Sequence, residues 1–236
     1  MLRNAKKVFH IISILLLAGA MANLVYYYFH GSLLWKGITS SWFVVHGIVC
    51  LIYAGVSGCK PDRYLLCMVL GLFFGMCADV LLGIWFLVGV VVFALGHVMY
   101  LVAICLLEKL RRQDLWFVLP FIVISEYMVL FSPFLQLEDP AMKIMLVGYG
   151  LVISCMVGKA ISNYFARRSL SRLLVLIGAV MFWFSDLVLA VDMFGAGFPL
   201  DDILCGFTYW PGQSILAYSL FHYVSARLCT GHHQKG

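Results

Sequence analysis

Eight runs of largely apolar residues, each about as long as a membrane-spanning helix, follow one another along the chain with little between them: residues 8–29, 34–56, 64–83, 86–107, 115–135, 142–163, 173–194 and 203–228. A helix that crosses the hydrocarbon core of a bilayer needs about 20 such residues, and apart from closed barrels only helices can satisfy their backbone polar groups there. Together the runs take up most of the 236 residues and leave no length for a separate soluble domain. The expectation is therefore an all-α fold in a single integral membrane domain over residues 1–236, a polytopic bundle of eight transmembrane helices. Composition agrees, since 64% of the residues are hydrophobic, only 11% are charged, and the mean hydropathy is +1.00. A soluble domain of that composition would expose far too much apolar surface.

The basic residues then orient the bundle, because cytoplasmic loops of membrane proteins accumulate Lys and Arg. One set of ends and loops holds Arg3, Lys6, Lys7, Lys60, Arg63, Lys109, Arg111, Arg112, Arg167, Arg168, Arg172, Arg227 and Lys235, whereas the opposite loops hold only Lys36 and Lys143, with Lys159 inside a helix. Both termini are expected on the cytoplasmic side, with a bacterial inner membrane rather than the endoplasmic reticulum as the setting. The net charge of +5 follows from this bias and gives no reason to expect nucleic acid as a partner. A competing reading makes Arg3 to Ala20 a cleaved secretory signal, with basic residues, an apolar run and then Ala18, Gly19 and Ala20; against it, the apolar run continues unbroken to Phe29. The eight cysteines are scattered without paired spacing and read as packing residues, with no zinc site or disulfide framework. His232 and His233 read as a tail.

Charges that remain inside apolar helices are the informative residues. Each costs about 2.5–3.5 kcal/mol to insert at mid-membrane, which makes it a functional candidate by default. Four acids qualify: Asp79, Glu126, Asp186 and Asp192. Residues four apart share a helix face, so Asp79 shares one with Gly71, Gly75 and Gly83, small residues of the kind that let helices approach closely. Asp186 shares a face with Gly178, Phe182 and Ala190. Both carboxyls should point into the bundle. Each aspartate follows a glycine by eight residues and precedes a leucine by three, which fits two parallel four-helix halves bringing their aspartates to a common centre; the other reading is a glycine motif repeated by chance.

Two further patches have the same character. His97 and Tyr100 lie three apart on one side of the fourth helix. Tyr209 and Gln213 lie four apart around Pro211, which removes a backbone donor. Helix direction and a rise of about 1.5 Å per residue put Asp79 about 24 Å beyond Arg63 and Asp186 about 21 Å beyond Arg172. Both lie past the middle of a core about 30 Å thick, toward the end marked by Lys36.

These segments resemble, in order and spacing, the motifs of the YhhN family, whose animal members are the lysoplasmalogenases. The segments are Gly71 to Leu82, His97 to Tyr100, Ser185 to Ala190 and Tyr209 to Gln213, with Lys36 similar to the family's lysine at the start of the second helix and Tyr149 to its sixth-helix tyrosine. The chain departs from the family at Ala78, Gly37 and Gly212, where glycine, proline and alanine are usual; none of these changes removes an ionisable group.

The resemblance implies an enzyme that hydrolyses the vinyl ether bond of a lysoplasmalogen to a fatty aldehyde and a glycerophospho-alcohol, with a lysophospholipid substrate and no cofactor or metal. Vinyl ether cleavage starts by protonating the alkene carbon distal to oxygen, so it needs an acid, an anion facing the oxocarbenium ion and a base for water. Asp79 and Asp186 are the expected catalytic pair. His97, Tyr100, Tyr209 and Gln213 would orient water and the ether oxygen, Tyr149 would belong to the same substrate site, and Lys36 would meet the phosphate. Two alternatives use the same residues: a proton-coupled transporter or channel with the aspartates as relay, and a metal-dependent hydrolase, for which one helix-borne histidine plus carboxylates is a thin ligand set.

Overall fold

The computed structural model describes residues 2–232, with side chains described for residues 4–228. Lys235 and His233 lie outside the described residues; His232 closes the last helix. The described residues form eight helices: α1 (Leu2–His30), α2 (Leu33–Val56), α3 (Arg63–Leu81), α4 (Phe86–Leu107), α5 (Asp114–Leu130), α6 (Pro140–Ala166), α7 (Leu170–Phe194) and α8 (Asp201–His232). No strand occurs among the described residues.

Local chemistry sets many of the boundaries. Ser32, Asp62, Asp139 and Ser169 cap α2, α3, α6 and α7, each side-chain oxygen accepting a first-turn backbone N–H, and Pro140 occupies the first helical position of α6, where its missing N–H costs nothing. Gly58 (φ +74°) and Gly197 (φ +63°) turn the chain in the left-handed region after α2 and before α8. The fifth element is shorter than the apolar run suggests. It stops at Leu130 and not at 135, because Pro133 disfavours helical geometry at Ser132, and Ser132 Oγ instead accepts the Phe134 N–H at 3.1 Å. The segment after it folds over the end of α7, where Gln136 N–H donates to the Phe194 carbonyl at 2.7 Å.

Six of the eight helices, α1 to α4, α6 and α7, are long and apolar enough to cross a membrane. α5 has only 17 residues, and the middle of α8, from Thr208 to Ser214, is polar. The packing explains the second departure. α8 is surrounded by α1, α2, α3 and α7, so its polar residues Gln213, Ser214 and Ser219 are buried against protein rather than lipid, whereas α1, the least buried of the six, has a strongly apolar central stretch.

Helix contacts describe a ring. α2, α3, α4, α6, α7 and α8 each pack on the next, and α8 closes onto α2, while α1 packs outside on α2 and α8, and α5 outside on α6. Exchanging the two halves of the chain maps the α4–α6 contact onto α8–α2; the α1–α8 contact has no comparable partner between α5 and α4. Where α7 and α8 cross, a Cβ placed on Gly178 would lie 2.8 Å from the Gly212 carbonyl oxygen, so the absence of side chains sets the approach of the two backbones.

One end of the bundle is tied by ion pairs between helices. Arg172 at the start of α7 reaches Glu108 at the end of α4 (2.8 Å) and the Asn163 carbonyl of α6 (2.9 Å). Lys159 of α6 pairs with Asp114 of α5 at 2.7 Å with both side chains almost fully buried, and Arg227 of α8 pairs with Asp62 at the start of α3 at 2.9 Å. The Arg172 hydrogen bond holds the Glu108 carboxyl below the usual carboxylate range. Lys159, which sequence placed inside a helix, thus has a defined partner.

Candidate active site

All six ring helices send a polar side chain toward one region: Ser40 from α2, Asp79 from α3, His97 and Tyr100 from α4, Tyr149 from α6, Asp186 from α7, and Tyr209 and Gln213 from α8. The region lies away from the ion-paired end, near the start of α2 and the ends of α3 and α7. Glycine makes the space. A Cβ on Gly71 would fall 2.5 Å from the Tyr100 ring, and one on Gly75 would fall 3.0 Å from Gln213 Nε2 and 3.4 Å from Tyr209 Oη. The glycine face of α3 is therefore the seat of the polar residues from α4 and α8.

The two aspartates stand in different surroundings. Asp79 is buried, 3% exposed. Its Oδ2 accepts from Tyr209 Oη at 2.9 Å and, in a short contact, from Ser40 Oγ, which itself accepts the Trp210 indole N–H at 3.0 Å. Both hydroxyls donate to that one oxygen. Asp186, with its side chain 8% exposed, accepts from Tyr149 Oη at 2.5 Å and lies 3.3 Å from His97 Nε2. That last approach lacks the alignment of a hydrogen bond.

The His97 contact carries further information about protons. His97 Nδ1 is 2.9 Å from the Phe93 carbonyl oxygen, which can only accept, so Nδ1 holds the hydrogen. A neutral imidazole then turns a bare Nε2 toward Asp186 Oδ2. The two face each other at 3.3 Å, and His97 Nε2 has no hydrogen-bond partner of its own.

Two cavities meet at Asp186. The first, of about 220 Å³, is lined by Asp79, Asp186, Tyr209 and Lys36, with Tyr27, Tyr28, Asp192, Asp202 and Trp210 around it. The second, of about 190 Å³, is apolar and runs beside Asp186 between α4, α6 and α7, walled by Met128 and Val129 of α5; Phe86, Val90, Leu146, Ile153 and Trp183 line it, as does Tyr149. Lys36, Phe93 and Asp186 line both.

The sequence-derived candidates therefore divide. Asp79, Asp186, Lys36, Tyr149 and Tyr209 reach a cavity wall. His97, Tyr100 and Gln213 do not line either cavity; they form a buried layer behind it, His97 packed among Phe93, Tyr149 and Phe182 and Tyr100 donating to Gln213 Oε1 at 2.5 Å. Of the other two intramembrane acids, Asp192 lines the polar cavity, while Glu126 stands apart, its two carboxyl oxygens buried without a hydrogen-bond partner. Among the described residues no three His, Cys, Asp or Glu side chains come together as metal ligands. Ser40 and Trp210 were not among the candidates. The signal that could have found Ser40 is its position four residues after Lys36, on the same helix face.

No curated protein and no solved structure shows a significant match to the chain. The family model of the YhhN family matches residues 39–220, well over half of the length and the whole span from Thr39 beside Ser40 to beyond Gln213.

Proposed function

The chain belongs to the YhhN family, and from that premise and the chemistry around the two cavities we propose that it is an intramembrane lysoplasmalogenase, hydrolysing the vinyl ether bond of a single-chain ether phospholipid. Membership of the family suggests a lysoplasmalogenase-like function. The observation that carries the finer reading is the unlike pair of carboxyls on one cavity, Asp79 accepting from the Ser40 and Tyr209 hydroxyls and Asp186 accepting from Tyr149 beside a histidine nitrogen that its own hydrogen bond leaves bare. The junction of a polar and an apolar cavity at Asp186 supports a substrate with a head group near Lys36 and one alkenyl chain. The two spaces suit one chain and not two; ligand sites are commonly about 300–1,000 Å³.

In the proposed reaction Asp186, protonated and backed by His97, gives its proton to the alkene carbon distal to oxygen. The π electrons form that C–H bond and leave an oxocarbenium ion, which the Asp79 carboxylate faces. Water adds at the carbon next to oxygen and passes a proton to Asp79. The hemiacetal collapses as its hydroxyl proton returns to Asp186 and the departing ether oxygen takes the proton from Asp79. An aldehyde and a glycerophospho-alcohol leave, and both carboxyls are restored. Ser40, Tyr209 and Trp210 hold Asp79 in place, Tyr149 and His97 hold Asp186, and the Gln213–Tyr100 pair fixes the α3–α4–α8 seat.

The same reading has all eight helices crossing the membrane, α5 at about 26 Å by its 17 residues completed by its flanking loops, and α8 shielded by its four neighbours. With an even number of crossings and the basic residues gathered at the ion-paired end, both termini are cytoplasmic and the cavities lie in the opposite half of the membrane.

The test is product analysis after purified protein is incubated with a lysoplasmalogen and, separately, with the ester lysophospholipid of the same head group. Aldehyde from the first and no fatty acid from the second is the expected result. Movement of solute across a liposome without chemical turnover would replace the enzyme with a transporter.

A further inference from the structure

At the end of the bundle far from the aspartates lies the largest of the three cavities, about 480 Å³, between the start of α1, the end of α4, the α6–α7 turn and the end of α8. Four cations line it, Lys6, Arg167, Arg172 and Arg227, and no carboxylate does. Two of the four meet carboxylates from behind, Arg172 at Glu108 and Arg227 at Asp62, which leaves a local excess of about two positive charges when those partners are set against the four. The first turn of α7, through Leu170 and Ser171, lines the same space; first-turn amides have no acceptor within their helix and the helix dipole adds positive potential there. His222 also lines it, and its Nε2 has no hydrogen-bond partner.

From this cluster we infer a second lipid site, one that binds the phosphate head group of an anionic phospholipid and is separate from the proposed catalytic cavities. The ligand's phosphate chemistry follows from the cations and the helix start. Its lipid nature follows from the surroundings. Leu170 lines the cavity and is 53% exposed, and Leu107 and Ala226 line it as well. An acyl chain leaving the cavity therefore meets apolar surface at once, where a soluble phosphate would gain nothing. A bound head group would bridge α1, α7 and α8, joining one of the two outer helices to the ring. This inference does not depend on the reaction assigned to the other end.

The experiment measures the thermal midpoint of the purified full-length chain in detergent with phosphatidylglycerol, with phosphatidylcholine of the same chains, and with inorganic phosphate. Phosphatidylglycerol is expected to raise the midpoint by several degrees, phosphatidylcholine and phosphate by much less, and the gain should shrink in high salt, as surface charge interactions do. Lys6 and Arg167 are both exposed, so the double variant K6Q/R167Q should fold normally and lose the phosphatidylglycerol gain. The variant K7Q/R168Q removes the same charge from adjacent positions that do not line the cavity and should keep it. An equal gain from inorganic phosphate would overturn the lipid assignment. An equal gain from phosphatidylcholine, or equal loss in the two double variants, would overturn the site.

Discussion

At the level of single residues, the account turns on the difference between two aspartates. D79N and D186N keep the shape of the side chain but can neither carry nor accept the catalytic proton, so each is expected to cut turnover by about 10²–10⁴-fold or more while the protein still purifies as a folded species. Near-normal turnover in either would remove that residue from the chemistry. His97 does not reach the cavity, so H97Q should lower kcat far more than it changes KM and should alter the pH profile, whereas a packing defect would lower the amount of folded protein without moving the profile. The G71A substitution tests the seat: its Cβ would meet the Tyr100 ring at 2.5 Å, displacing Tyr100 from Gln213 at a cost of about 1–3 kcal/mol, read as a lower thermal midpoint with weaker turnover. Much of this was legible beforehand. A charge within an apolar run announces itself, and glycines at spacing four show which way it points. Ser40 and Trp210 did not announce themselves, because a serine in a membrane helix gains meaning only from the aspartate that another helix brings to it. Nor could sequence place His97 behind the wall rather than on it, since helix period gives a direction but no depth.

Among the helices, the Ser132–Pro133 break shortens α5 relative to its apolar run, and α8 departs in composition, a continuous helix with a polar middle. The second case is physical: hydropathy measures fitness for lipid, and α8 faces four helices instead. The Asp114–Lys159 pair was illegible for another reason, since its members lie 45 positions apart and nothing local to either points to the other. Removing one partner of such a buried pair should be costly. D114A is expected to destabilise by about 3–5 kcal/mol, and D114L/K159M by much less, because the double variant leaves no uncompensated charge; a double variant as unstable as the single would mean that the ion pair itself holds α5 to α6. Glu108 gives a pH dependence with a definite sign. Its folded carboxyl titrates below the unfolded one, near 4.3, so its contribution to stability is present above that value and is lost as pH falls through the lower, folded range. Thermal midpoints of wild type and E108Q should converge in acid and separate at neutral pH.

For the molecule as a whole, the arrangement is a ring of six helices with its ion pairs at one end and its paired carboxyls near the other. A reporter fused to the C-terminus should report a cytoplasmic location, and an external one would reverse the assignment of both ends. The most direct test of the central claim uses the reaction itself. Protonation of the distal alkene carbon followed by water addition fixes where the solvent's atoms must end up, so purified protein given a lysoplasmalogen in D₂O should release an aldehyde carrying one deuterium at the carbon next to the carbonyl, and in ¹⁸O-water an aldehyde whose carbonyl oxygen derives from solvent, with no solvent oxygen in the glycerophospho-alcohol. D79N and D186N should release far less of either labelled aldehyde in the same time. Absence of aldehyde from the wild-type protein, solvent oxygen in the alcohol, or unchanged label incorporation in both variants would contradict the account.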